Sequence, residues 1–116
     1  MSDANGTFRN SPVTLRQMRA FVAVAQDGSI TQAAKRLHLT PSALSMLVSG
    51  LEGELGVRLF ERTTRRLVPT DAGLELLPAI QSVFDKLDDA FAGLRQSADR
   101  RSGRLSLATS PLLAAT

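Results

Sequence analysis

The chain has 116 residues, 43% of them hydrophobic and 22% charged, which suits one small soluble globular domain with room for an appendage. It has no cysteine, which excludes disulfides, thiol chemistry and cysteine-ligated zinc and fits a reducing compartment; with 4% aromatic residues, none of them Trp or Tyr, its core must be aliphatic and helical. Of the formal net charge of +3, the surplus lies in the first two-thirds: Met1 to Gly73 carry nine Lys/Arg against six Asp/Glu, and Leu74 to Arg101 carry four against five.

Residues 1–12 read as a flexible, polar N-terminal tail. They lack the apolar run of a signal peptide, and the longest apolar stretch, Phe21 to Ala25, is far too short to span a membrane, so a cytoplasmic location and no membrane partner are expected. Thr14-Leu-Arg-Gln17 has the form of a capping box, and Leu15, Met18, Phe21, Val22 and Ala25 follow at helical spacing until Asp27-Gly28 stops the helix. A second box starts with Ser29 and Gln32; Ala33, Ala34 and Leu37 mark its buried face, and this helix ends near His38, which fills the turn. Thr40-Pro41 opens a third helix, with a hydroxyl cap and a proline at the first helical position, and Leu44, Val48, Leu51 and Leu55 form its inner stripe before Gly56. Gly50 and Gly53 inside it each cost up to about 1 kcal/mol relative to Ala; they either allow close packing against a later helix or simply weaken that half. A turn of about three residues between the second and third helices, with alanines where they cross, predicts a helix-turn-helix.

Val57 to Phe60 and Arg66 to Val68 are short β-leaning runs around the turn-like Thr63-Thr64, which predicts a hairpin wing. Arg58, Arg62, Arg65 and Arg66 fall on it, four guanidinium groups within nine residues: the footprint of a polyanion partner, although a charge run alone describes a solvated face equally well. Asp71-Ala-Gly73 begins a long helix of roughly 40 Å, slightly bent at Pro78, in which Leu77, Ile80, Phe84, Leu87, Phe91, Leu94 and Ala98 recur in alternating steps of three and four. A head of this size cannot cover so long a seam, so a homodimer through this helix, or a higher oligomer, is expected. The fold class is therefore mainly α, a winged helix-turn-helix with a three-helix head and small β wing in residues 13–70, then a linker and dimerisation helix in 71–102. Beyond Ser102-Gly103, Arg104 to Ala108 alternates like a strand.

The runs Phe21-Val-Ala-Val-Ala25, Gly28-Ser-Ile-Thr-Gln-Ala-Ala34, Thr40-Pro-Ser-Ala-Leu-Ser45, Glu54-Leu-Gly-Val-Arg-Leu-Phe-Glu-Arg62 and Pro69-Thr-Asp-Ala-Gly73 together resemble the amino-terminal DNA-binding domain of LysR-type bacterial transcription regulators, without gaps from about Val13 to Ser102. The resemblance implies a sequence-specific, duplex-DNA-binding transcription regulator whose long helix pairs two heads. It also implies that residues 103–116 are the start of a truncated effector-binding domain, so that a small-molecule effector would act only on a full-length form.

The third helix is the candidate for the major groove, leaving Pro41, Ser42, Ser45, Met46 and Ser49 on its outside. LysR-type proteins, which the sequence resembles, commonly carry Gln, Arg or Lys at several such places; here no residue of the helix can form a bidentate pair with guanine or adenine, and Met46 and Pro41 suit a thymine methyl instead. Thr31, Gln32 and Thr40 stand at helix starts, where phosphate oxygens are favoured, and by resemblance Arg62, Arg65 and Arg66 would reach the DNA backbone or a minor groove. Arg58 is expected to pair with Glu61 or Glu54, and Lys35 and Arg36 to be solvated. A single His, no Cys and no phosphate loop leave no catalytic residue, metal site or cofactor to assign, so no enzyme is expected. The heptad seam also supports a second reading, a helical dimerisation or protein-interaction module with little DNA specificity.

Overall fold

Thr14 starts the first helix by the reciprocal cap its sequence predicts. Its hydroxyl accepts the Gln17 N–H at 3.1 Å, and its own N–H donates to Gln17 Oε1 at 2.9 Å. The structure, a computed structural model, describes residues 12–62 and 67–102. The N-terminal tail through residue 11, the Thr63-Thr64 turn, Arg65, Arg66 and the 103–116 segment lie outside them.

Helix α1 (Leu15–Asp27) ends at Gly28 in the left-handed region, φ 66°. Ala20, Phe21, Val22, Ala23 and Val24 are all buried, so the middle of α1 has no solvent face: it is the central helix, packed against α2 (Ile30–Leu37) and α3 (Pro41–Leu55). Leu15, expected on the inner face, is exposed; the buried face begins only at Met18, a turn further in. In α2 only the hydroxyl half of the second box forms, Ser29 Oγ accepting the Gln32 N–H at 3.1 Å. Buried Ala33 and Ala34 offer no bulk where α2 meets its neighbours.

The α2–α3 turn is residues 38–40, as expected. His38 adopts φ 59°, the left-handed conformation that closes α2, and the following Leu39 N–H donates to Ala34 O at 2.9 Å. Thr40 Oγ1 accepts the Ala43 N–H at 3.0 Å and Pro41 takes the first helical position. Leu44, Val48 and Leu51 are buried, but Leu55 is exposed. The stripe continues instead through Glu52, four residues after Val48 and only 7% exposed, because the helix closes at Gly56 just past the core. Gly50 does serve packing, against α1 rather than the long helix: a Cβ there would lie 2.8 Å from the Gln17 amide nitrogen held by the cap. At Gly53 a Cβ would meet nothing within 4 Å.

The wing is an antiparallel pair, β1 (Phe60–Arg62) and β2 (Leu67–Pro69), with Phe60 opposite Pro69 and Arg62 opposite Leu67. It starts later than the expected Val57 because the chain entering it is occupied elsewhere. Glu52 Oε2 accepts the Leu59 N–H at 2.7 Å and the Phe60 N–H at 3.3 Å, with Arg62 Nη2 at 3.6 Å from Oε1 and Arg58 Nε at 3.8 Å from Oε2. A buried carboxylate is costly unless its oxygens recover hydrogen bonds and opposite charge, and these four groups supply both. With its N–H turned to Glu52, Phe60 can face Pro69, which has no N–H to return. Its ring packs on Phe21, centroids 5.5 Å apart.

The other side of the same junction starts helix α4 (Asp71–Ser102). The Thr70 N–H donates to Leu59 O at 2.9 Å; its hydroxyl donates to Arg58 O at 2.6 Å and accepts the Gly73 N–H at 3.1 Å, capping the helix. Asp71 in the first turn complements the helix dipole. Gly73 is buried, and any Cβ there would run into the Leu59 carbonyl, so this position admits glycine alone. The first turns of α4, through Gln81, belong to the same compact unit as the three helices, and Ile80 is buried there. The helix runs on without interruption past Pro78; Phe84 and Leu87 are partly buried, and Phe91 and Leu94 are 50% and 65% exposed.

Two outcomes follow for stability, both read by chemical denaturation. Gly73→Ala loses about 1–3 kcal/mol through overpacking, whereas Gly53→Ala gains up to about 1 kcal/mol from helix propensity alone; the same sign for both would contradict this packing. Glu52→Ala strands two buried N–H donors and costs about 3–5 kcal/mol, while Glu52→Gln keeps an acceptor and costs about 1–2 kcal/mol; equal losses would show that the acceptor geometry is immaterial.

Candidate nucleic-acid interface

Helix α3 turns Leu44, Val48, Leu51 and Glu52 inward, which leaves Ser42, Ser45, Met46, Ser49 and Gly53 on a stripe facing away from the core. Pro41, Ser42 and Ser49 are exposed, Ser45 is partly buried, and Met46 is the most exposed large hydrophobic side chain among the described residues at 73%. The face carries no charge and no amide. At its near end Thr40 is exposed; its oxygen already caps α3, which leaves its hydroxyl hydrogen to donate. Thr31 and Gln32 are exposed in the first turn of α2, beside the N–H groups that a helix start leaves unpaired. The five α3 residues and these three therefore occupy the outer surface of one helix-turn-helix, as the sequence places them.

The cations are distributed differently from the sequence expectation. Arg58 pairs with buried Glu52, not with Glu61 or Glu54, because Glu52 sits behind the chain entering β1; its side chain remains 63% exposed. Arg62 also leans on Glu52, with its side chain 34% exposed. Together with Ser49 and Gly53 they border an open groove between the second half of α3 and the wing. Arg36, expected to be solvated, instead grips Asp27: Nε and Nη2 each lie 3.2 Å from a different carboxylate oxygen, and Nη2 also reaches Ala23 O at 3.5 Å. This places a cation at the carbonyl end of α1, where the helix dipole favours it. Lys35 is exposed, as expected. Arg65 and Arg66 are not among the described residues.

Sequence reasoning missed Glu52, Thr70 and Gly73 as the residues that fix the wing against α3. One signal was available: Leu44, Val48 and Glu52 are spaced by four, so the glutamate falls on the apolar stripe, with two arginines six and ten residues later to receive it. Among the described residues no cluster of His, Cys, Asp and Glu could hold a metal ion, and no helix is long and apolar enough to cross a membrane.

Comparison with known proteins agrees with this geometry. Residues 15–74 match the family described as bacterial regulatory helix-turn-helix protein, lysR family. The chain is 42% identical over 95 residues to the HTH-type transcriptional regulator PgrR of Escherichia coli K12, covering 82% of this chain and 32% of that protein. It is 44% identical over 96 residues to an uncharacterized HTH-type transcriptional regulator of Azotobacter vinelandii, covering 83% of this chain and 67% of that one. It thus spans only about a third of PgrR's length. Among solved structures, the BenM DNA-binding domain in a complex with catB site 1 DNA superposes with a TM-score of 0.71 at 32% identity, covering 73% of this chain and 96% of that chain. The CbnR DNA-binding domain in a DNA complex gives 0.68 at 33% identity, covering 73% and 98%. A winged helix-turn-helix with an uncharged outer face on α3, tied to a long helix through Thr70 and Gly73, is thus a LysR-type DNA-binding domain, and the chain belongs to the lysR family of bacterial regulatory helix-turn-helix proteins.

Proposed function

We propose that this chain binds duplex DNA with α3 in the major groove and thereby regulates transcription. The carrying observation is the outward stripe of α3, presented across a three-residue turn from the start of α2, in a chain similar over nearly the whole of two domains solved with DNA. In this reading residues 13–70 are the DNA-binding head and 71–102 the linker and dimerisation helix. Pro41, Ser42, Ser45, Met46 and Ser49 meet base edges, and Thr31, Gln32 and Thr40 donate to phosphates. Arg62, Arg65 and Arg66 hold the backbone or an adjacent minor groove. Two heads pair along α4. Ile80 is already buried in its own chain, so Phe84, Leu87, Phe91 and Leu94 are the seam that a second copy covers, with Leu77 at its margin. The chain acts as a binder and not an enzyme, in the cytoplasm, where bacterial DNA lies.

Binding to duplex DNA falls by about 100-fold or more between roughly 50 and 200 mM salt, as expected for four or more phosphate contacts. Arg65→Ala with Arg66→Ala weakens specific and random DNA alike and flattens that slope; undetectable binding at low salt would favour a dimerisation or protein-interaction module instead. Leu87→Asp converts dimers to monomers in sedimentation, whereas an intact dimer would move the pairing surface off α4.

A further inference from the structure

The reading face of α3 poses a chemical problem that Met46 resolves. Base edges in the major groove offer hydrogen-bond donors, acceptors and one apolar group, the thymine 5-methyl. On this face Ser42, Ser45 and Ser49 can donate or accept with equal ease, so they discriminate poorly, Gly53 has nothing to offer, and Pro41, the other apolar residue, is a short rigid ring fixed at the first helical position that reaches less far than a thioether chain. Met46 stands in the middle of the stripe, three or four residues from Ser42 and Ser49, and is 73% exposed. A thioether chain on three flexible bonds gains nothing from water and adapts to whatever apolar surface it meets.

We infer that Met46 is the specificity-determining residue of this head and that it selects thymine by packing on its 5-methyl group. This rests on the reading that α3 enters the major groove. Sequence preference then follows a methyl group rather than a hydrogen-bond code. Thymine is accepted at the contacted base, uracil is discriminated against although its polar edge is identical, and 5-methylcytosine recovers part of what cytosine lacks.

The test uses the full chain and a duplex selected by it from a random pool, with each thymine replaced singly by uracil. Removing one methyl from the contacted base weakens binding about three- to tenfold, the scale of one buried methyl group or slightly more, at one position in each half-site. Met46→Ala binds the thymine duplex more weakly by a similar factor and no longer distinguishes uracil from thymine. Met46→Arg, at the same exposed position, selects guanine there from the pool, since a guanidinium pairs with its O6 and N7. Circular dichroism and thermal melting confirm that both variants keep the fold. The inference is overturned if the native chain binds every uracil duplex as tightly as the thymine one, if Met46→Ala keeps the uracil penalty, or if Met46→Arg selects the same sequence as before. Binding that persists without methyl sensitivity removes this inference alone; no binding to any duplex at low salt removes the DNA reading with it.

Discussion

The peptide groups on either side of the Leu59 side chain hold three elements at once. Its N–H donates to Glu52, on the back of α3; its carbonyl accepts from Thr70, at the end of the wing; and the same carbonyl lies against Gly73, in the first turn of α4. Helix α3, the wing and the start of the long helix are therefore registered to one another through a few atoms of backbone. Buried polar groups are costly when unpaired, so this junction has few alternatives: moving any one element strands a carboxylate or an amide in the core.

This constraint accounts for several residues that otherwise look unrelated. Glu52 occupies a core position because two N–H groups and two arginines need a common acceptor there. Thr70 must be a hydroxyl residue because it donates to Arg58 O while accepting from Gly73, and Gly73 must lack a side chain because Leu59 O occupies its place. The same arrangement sets Arg58 and Arg62 beside the second half of α3, so part of the cationic charge of the wing is held in position before any partner arrives. A side chain held in this way loses less freedom on meeting an opposite charge than a freely moving one does.

The helices were legible because their signals are local. Caps at Thr14, Ser29 and Thr40, stops at Gly28 and Gly56, and stripes at a 3.6-residue period each depend on residues within one or two turns. The outward face of α3 followed from its inward one by the same periodicity. Of the junction only the place of Glu52 on the apolar stripe was legible, because its donors lie seven and eight residues away across a change of direction and the contact to Gly73 lies fourteen residues from Leu59. Arg36 shows the same limit: its partner Asp27 sits on the preceding helix, and nothing in the local pattern joins them. Leu55 failed for a related reason, since a stripe continues in sequence even where the core beneath it has ended.

The Leu59 junction either belongs to the cooperative core or merely hangs from it. Native-state hydrogen exchange of individual amides answers this directly. The Leu59, Phe60 and Thr70 amides are predicted to exchange only through global unfolding, with protection equal to that of Phe21 and Val24 in α1. If those three instead exchange through low-energy local opening while α1 and α3 stay protected, the junction does not register the wing and long helix to α3.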